Sequence, residues 1–126
     1  MRLLLNSFVL GVALGGVMLV GQGATPFAAR AEAASFDCTR ARAADERAIC
    51  GNRALEDRDV KLSTMFALVP RLVGMGARGA IQDDQRAWLT QRSQCGGNIA
   101  CIRASYDRRI ATLQRQFDDI ASRGPF

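Results

Sequence analysis

Four cysteines, Cys38, Cys50, Cys95 and Cys101, are the residues of this chain best placed to do chemistry. Thiol–disulfide catalysis uses a C-x2-C spacing, which is absent. A zinc site needs four thiolates, usually as two C-x2–4-C pairs. Here 11 residues separate Cys38 from Cys50, 5 separate Cys95 from Cys101, and there is no histidine. Structural disulfides fit better. Four cysteines allow three pairings. Cys38–Cys50 and Cys95–Cys101 are favoured, because each pair is close in sequence and straddles a turn. No cofactor or metal is expected.

Acid–base and nucleophilic chemistry find little support. Without histidine the commonest general base is missing, and Ser-His-Asp or Cys-His arrangements are ruled out. Asp83-Asp84 and Asp118-Asp119 are adjacent pairs, and adjacent helix positions point in different directions. Glu56 and Asp59 share a helical face, but Arg53, Arg58 and Lys61 surround them, as on a solvated charged surface. Gly74 to Gly79 is no phosphate cradle, since the Lys-Ser/Thr ending of a P-loop is missing. The expectation is a binding or inhibitory module, not an enzyme.

The elements that position these residues read as helices throughout, from Phe36 onward, with no strand-like alternation. Ala43 to Cys50 predicts a short helix with Asp45 and Glu46 near its N-terminus. Gly51-Asn52 stops it, and Asn52 caps the next helix. That helix carries Leu55, Leu62, Phe66, Val69 and Val73 on one face, with a kink or an end at Pro70. Gly74, Gly76 and Gly79 mark a loop. A third helix is expected from about Ala80 to Ser93, with Ile81, Gln85, Trp88 and Arg92 on one stripe. Asn98 caps a fourth, whose apolar positions Ile99, Ile102, Tyr106, Ile110, Leu113, Phe117 and Ile120 fall at steps of 3 and 4, as one buried stripe requires. Gly124-Pro125 ends it. Short connections and these stripes predict an all-α fold, a small bundle of three to four helices stapled by two disulfides. The last helix should pack on the second and third, with Trp88 in the core and its indole N–H needing a partner.

Ahead of this domain, Met1-Arg2 leads into an apolar run from Leu3 to Val20, then small residues. That layout is a secretory leader over residues 1–33. Cleavage after Ala31 or Ala33 would fit the A-x-A pattern. The rival is a retained membrane anchor, since 18 residues nearly suffice to span a bilayer; Asn6 and the glycines at 11, 15 and 16 disfavour it. Residues 34–126 then form one domain, exported to the periplasm or secreted and free of the membrane. An even cysteine count in a small exported domain is itself a disulfide signature.

The formal charge of the chain is +5. Removing Arg2, Arg30 and Glu32 with the leader leaves 15 basic and 11 acidic residues. The signs alternate along the chain, as on a solvated helical surface. Few aromatics and no Arg/Lys cluster argue against nucleic acid.

Several residues together resemble one family. Phe36-Asp37-Cys38, then Glu46 with Ile49-Cys50, then Leu55, Asp59 and Leu62 form an opening. Gln85, Trp88-Leu89, Arg92 and Cys95 follow as Q-x-x-W-L-x-x-R-x-x-C, and Cys101-Ile102, Tyr106, Arg109-Ile110 and Leu113 close the pattern. This is similar to the LprI-like lysozyme-inhibitor domain, an exported helical module of bacteria, over about residues 35 to 115. The chain departs from it in lacking a lipid-acceptor cysteine, and Phe66 stands where tyrosine is common.

The resemblance implies a protein partner, lysozyme. A glycosidase cleft holds two carboxylates a few Å apart, and an arginine such as Arg92 or Arg103 could plug it bidentately. The basic charge of the domain counts against a strongly basic target. The alternative is an envelope interaction or stress module with another protein partner. Gln85, Trp88 and Arg92 are then either a recognition patch or fold glue tying the third helix to Asp59 or Tyr106. Glue is favoured.

Overall fold

A computed structural model of the chain describes residues 34–123. The leader of residues 1–33 and the Gly124-Pro125 stop lie outside the described residues. The fold is all-α. A 3-10 turn at Cys38–Arg40 precedes α1 (Ala44–Cys50), α2 (Arg53–Leu68), a second 3-10 turn (Val69–Leu72), α3 (Met75–Ser93) and α4 (Ile99–Ala121). Both expected disulfides form: Cys38–Cys50 and Cys95–Cys101, with Cα atoms 5.7 and 5.6 Å apart.

The helix starts follow local chemistry. Asn52 Oδ1 accepts from the Leu55 amide at 3.2 Å, and Asn98 Oδ1 from the Cys101 amide at 3.0 Å. Each satisfies a donor that the first turn leaves open. Ala43 has no oxygen with which to cap α1. Glu46 compensates from inside the helix, accepting from the Arg42 and Ala43 amides at 2.9 and 3.0 Å. Gly96 takes a φ of 53° in the turn closed by Cys95–Cys101, a conformation that favours glycine.

One expectation about helix extent is corrected. Gly76 and Gly79 lie inside α3, which starts at Met75 and not near Ala80. Tertiary contacts outweigh the weak helix propensity of glycine here. Arg78 donates to the Pro70 carbonyl at 2.9 Å and to the Val73 carbonyl at 3.4 Å, tying the first turn of α3 to the segment before it. Pro70 ends α2 and sits at the start of the 3-10 turn, where its missing N–H costs nothing.

Three helices form the bundle. Going down α3, Trp88, Gln85 and Ala77 meet Ser105, Arg109 and Ile120 going up α4, so these two run antiparallel. Arg58 meets Asp107, and Lys61 shares a groove with Gln114, so α2 runs parallel to α4. The core holds Ile49, Leu55, Leu62, Val69, Ile81, Trp88, Ile102, Tyr106, Ile110, Leu113 and Ile120. Each large side chain fully buried there contributes roughly 1.5–3 kcal/mol.

The stripe on α4 is narrower than its spacing implies. Ile99 and Phe117 are 38% and 41% exposed. Ile120, one turn beyond Phe117, is buried, so the apolar stripe is interrupted at Phe117 and not ended there.

Candidate functional site

The polar residues singled out by the sequence converge in the interior. Arg92, in the last turn of α3, donates from Nε to Asp45 Oδ2 of α1 at 2.9 Å and from Nη1 to the Tyr106 hydroxyl of α4 at 3.0 Å. The Tyr106 hydroxyl then donates to Asp59 Oδ1 of α2 at 2.8 Å. Asp59 Oδ2 accepts from the Ser35 amide at 2.6 Å. One connected chain of hydrogen bonds therefore ties all four helices and the segment before them. Its charged members are buried: Asp45 is 2% exposed, Asp59 4% and Arg92 7%.

Aromatic packing holds the guanidinium. The Trp88 and Tyr106 rings meet edge to face with centroids 5.2 Å apart, and the Arg92 guanidinium carbon lies 5.3 and 5.8 Å from their centroids. Cation–π attraction adds to the ion pair in this geometry. The Trp88 indole N–H donates to the Ser105 carbonyl at 3.2 Å.

A second cluster sits one level further along. Arg109 donates from Nε to Gln85 Oε1 at 3.0 Å and from Nη2 to the Ile81 carbonyl at 3.2 Å. Asp84 approaches its Nη1 at 4.0 Å from the exposed side.

Environment shifts three of these groups. Burial pushes the Tyr106 phenol well above its usual range, so it stays a neutral donor to Asp59. Desolvation lowers the Arg109 guanidinium, partly offset by Asp84. The amides of Ala43 and Arg42 hold the Glu46 carboxyl below its usual range.

The four candidate binding residues thus separate. Gln85, Trp88 and Arg92 are interior, with Gln85 9% exposed and the others 7%. Their polar atoms are bonded to other helices. Arg92 as a plug for a foreign active site is corrected: its guanidinium is already held by Asp45 and Tyr106. Arg103, on the second turn of α4, is exposed and makes no ion pair among the described residues. The link from Arg92 to Tyr106 matches the glue reading, whereas Gln85 reaches Arg109 and not Asp59 or Tyr106.

Asp45 and Ser35 were missed as members of the network. Asp45 carried a readable signal: it lies four residues before the buried Ile49, on the same helix face. The Ser35 amide carried none, because a backbone donor is sequence-blind. The buried carboxylates are committed to internal donors, which suits load-carrying contacts more than proton transfer to a substrate. Among the described residues no three His, Cys, Asp or Glu side chains gather as a metal site. No helix among them is long and apolar enough to cross a membrane.

Two surfaces remain open. One surrounds Arg103 near the Cys95–Cys101 turn. The other is the α2–α3 corner, where Leu68, Leu72 and Met75 are 53%, 46% and 86% exposed. Comparison with protein-family models, with curated proteins and with solved structures finds no match.

Proposed function

We propose that this chain is an exported, disulfide-stapled binding protein of the LprI-like kind, whose target is a lysozyme-type cell-wall glycosidase. The observation that carries the reading is the division of its arginines. Arg92, from the motif that most resembles the family, is a buried strut. Arg103 is exposed and without an ion-pair partner among the described residues. A rigid bundle presenting a guanidinium on a helix suits insertion between paired carboxylates, because little order has to be gained on binding.

The test is protection of bacterial cell walls from lysis, with the oxidised protein titrated against several lysozyme types at physiological salt. Dose-dependent protection against one type supports inhibition. No protection by folded protein removes it.

The exposed corner of Leu68, Leu72 and Met75 favours a second reading, an envelope module with a different protein partner. Apolar side chains that exposed are common at protein contacts. Under that reading Met75→Asp abolishes capture of the partner and leaves the fold unchanged.

A further inference from the structure

The buried network is short of one positive charge. It holds two carboxylates, Asp45 and Asp59, against one guanidinium, Arg92, and the phenol between them is neutral. Arg92 makes its direct ion pair with Asp45. Asp59, although buried, has only neutral donors in contact: the Tyr106 hydroxyl and the Ser35 amide. A buried carboxylate with no cation in direct contact is costly.

That Ser35 contact lies at the start of the described residues. Ala34 and Phe36 already pack against the core, and the Ser35 amide is 2.6 Å from Asp59 Oδ2. One residue of backbone spans at most about 3.6 Å, so the Ala34 nitrogen falls within about 6 Å of the same oxygen. A cleft of about 300 Å³ opens there, with Ser35, Phe36, Glu46, Asp59 and Arg92 among its walls. The A-x-A sequence Ala31-Glu32-Ala33 ends immediately before Ala34.

We infer that the Ala33–Ala34 bond is the processing site of the leader, and that the α-ammonium freed on Ala34 becomes the ion-pair partner of Asp59. This rests on the export reading. In the step, a host leader peptidase adds water across the amide. The hydroxyl goes to the Ala33 carbonyl carbon, the C–N bond breaks, and a proton goes to the Ala34 nitrogen. At neutral pH the products are a carboxylate on the leader and an ammonium on the domain.

The alternative cut after Ala31 fits the site poorly. It would leave Glu32-Ala33 in front, moving the new ammonium two residues further along the chain and adding a carboxylate next to a region that already holds Asp59 and Glu46. Like charges so placed repel. The consequence is functional. The precursor carries a neutral amide where the mature protein carries a cation, so the fold gains its last internal charge pair only once the leader has gone.

The charged groups walling the cleft beside the new ammonium are Asp59, Glu46 and Arg92, and the Tyr106 hydroxyl bonds Asp59 from behind. The two carboxylates outnumber the guanidinium, so the ammonium is favoured and titrates at higher pH in the folded protein than in the unfolded one. The experiment exports the full chain from a bacterial host and measures the intact mass of the recovered protein. It then follows amine acylation against pH, folded and in denaturant. Lys61 is the only lysine, so just two amines react, and they are resolved by peptide mapping. The expected result is a chain starting at Ala34, whose α-amine titrates at higher pH when folded. Retention of residues 1–33 overturns the export reading beneath the proposal. A start at Glu32 overturns the placement of the cut. A start at Ala34 with the same titration folded and unfolded overturns the ion pair alone.

Discussion

Arg92 and Asp45 stand 47 positions apart in the chain, on α3 and α1, and meet in the interior at 2.9 Å. The short α1 has few other means of being held: it spans only seven residues, too few for a helix to be stable alone. The Cys38–Cys50 disulfide fixes its end, Ile49 anchors it in the core, and this ion pair sets its orientation against the long helices.

Removing one partner strands the other charge in the interior. Arg92→Ala or Asp45→Ala should each cost about 3–5 kcal/mol, as for other buried pairs. Replacing both by leucine should restore much of that loss. Urea unfolding of the three variants checks it; a double variant no more stable than the singles would remove the ion-pair account.

Tyr106→Phe deletes the hydroxyl that joins Arg92 to Asp59. Asp59 Oδ1 then has no donor, at a cost of about 1–3 kcal/mol. The hydroxyl also makes a spectroscopic prediction. Burial raises the folded phenol above its unfolded value near 10, so stability is complete below that value and declines as pH rises past it. Phenolate absorbance should appear together with unfolding, not before it. Tyr106 is the only tyrosine, which makes the signal unambiguous.

The two disulfides should contribute unequally. Their loops close 12 and 6 positions of chain, for which loop-closure entropy gives about 3 and about 2 kcal/mol. Replacing Cys38 and Cys50 by serine should therefore lower the melting temperature more than replacing Cys95 and Cys101. The gap should widen further through the loss of α1.

Glu46 sets an acid limit on α1. Its carboxyl is held low by the Ala43 and Arg42 amides, so its contribution is present above the ordinary glutamate range and is lost as pH falls through its lowered value. Glu46→Gln should lower stability at neutral pH by the contribution the carboxylate made and flatten that part of the acid-unfolding curve, so that the two proteins converge at low pH. Thermal melts between pH 2 and 7 would show it.

Much of this was legible in the chain because local rules act alone there. Asn52 and Asn98 cap the helices they precede, Pro70 ends α2, and the cysteine pairs straddle turns. The stripe through Ile102, Tyr106, Ile110 and Leu113 is buried. Elsewhere distant residues decide. Gly76 and Gly79 read as a loop, and only Arg78 reaching back to Pro70 and Val73 makes the helix start earlier. Ile99 and Phe117 have the right spacing for burial, yet both are exposed while Ile120, beyond them, is buried: spacing places a residue on a face and does not say what packs against it. Asp45 read as a favourable charge at a helix N-terminus and is instead the counter-ion of Arg92. Gln85 and Arg92 were recognisable as polar residues on an apolar stripe, which requires buried partners. Which partners could not be read, since that depends on the register between helices.

Arg92 as part of the scaffold and Arg103 as part of the proposed recognition surface make opposite demands on a variant. The most direct test is Arg103→Ala, measured for urea unfolding and for protection against the lysozyme type that wild type inhibits. Stability within about 0.5 kcal/mol of wild type, together with at least tenfold weaker protection, is the predicted result. Unchanged protection by a folded Arg103→Ala protein would contradict it.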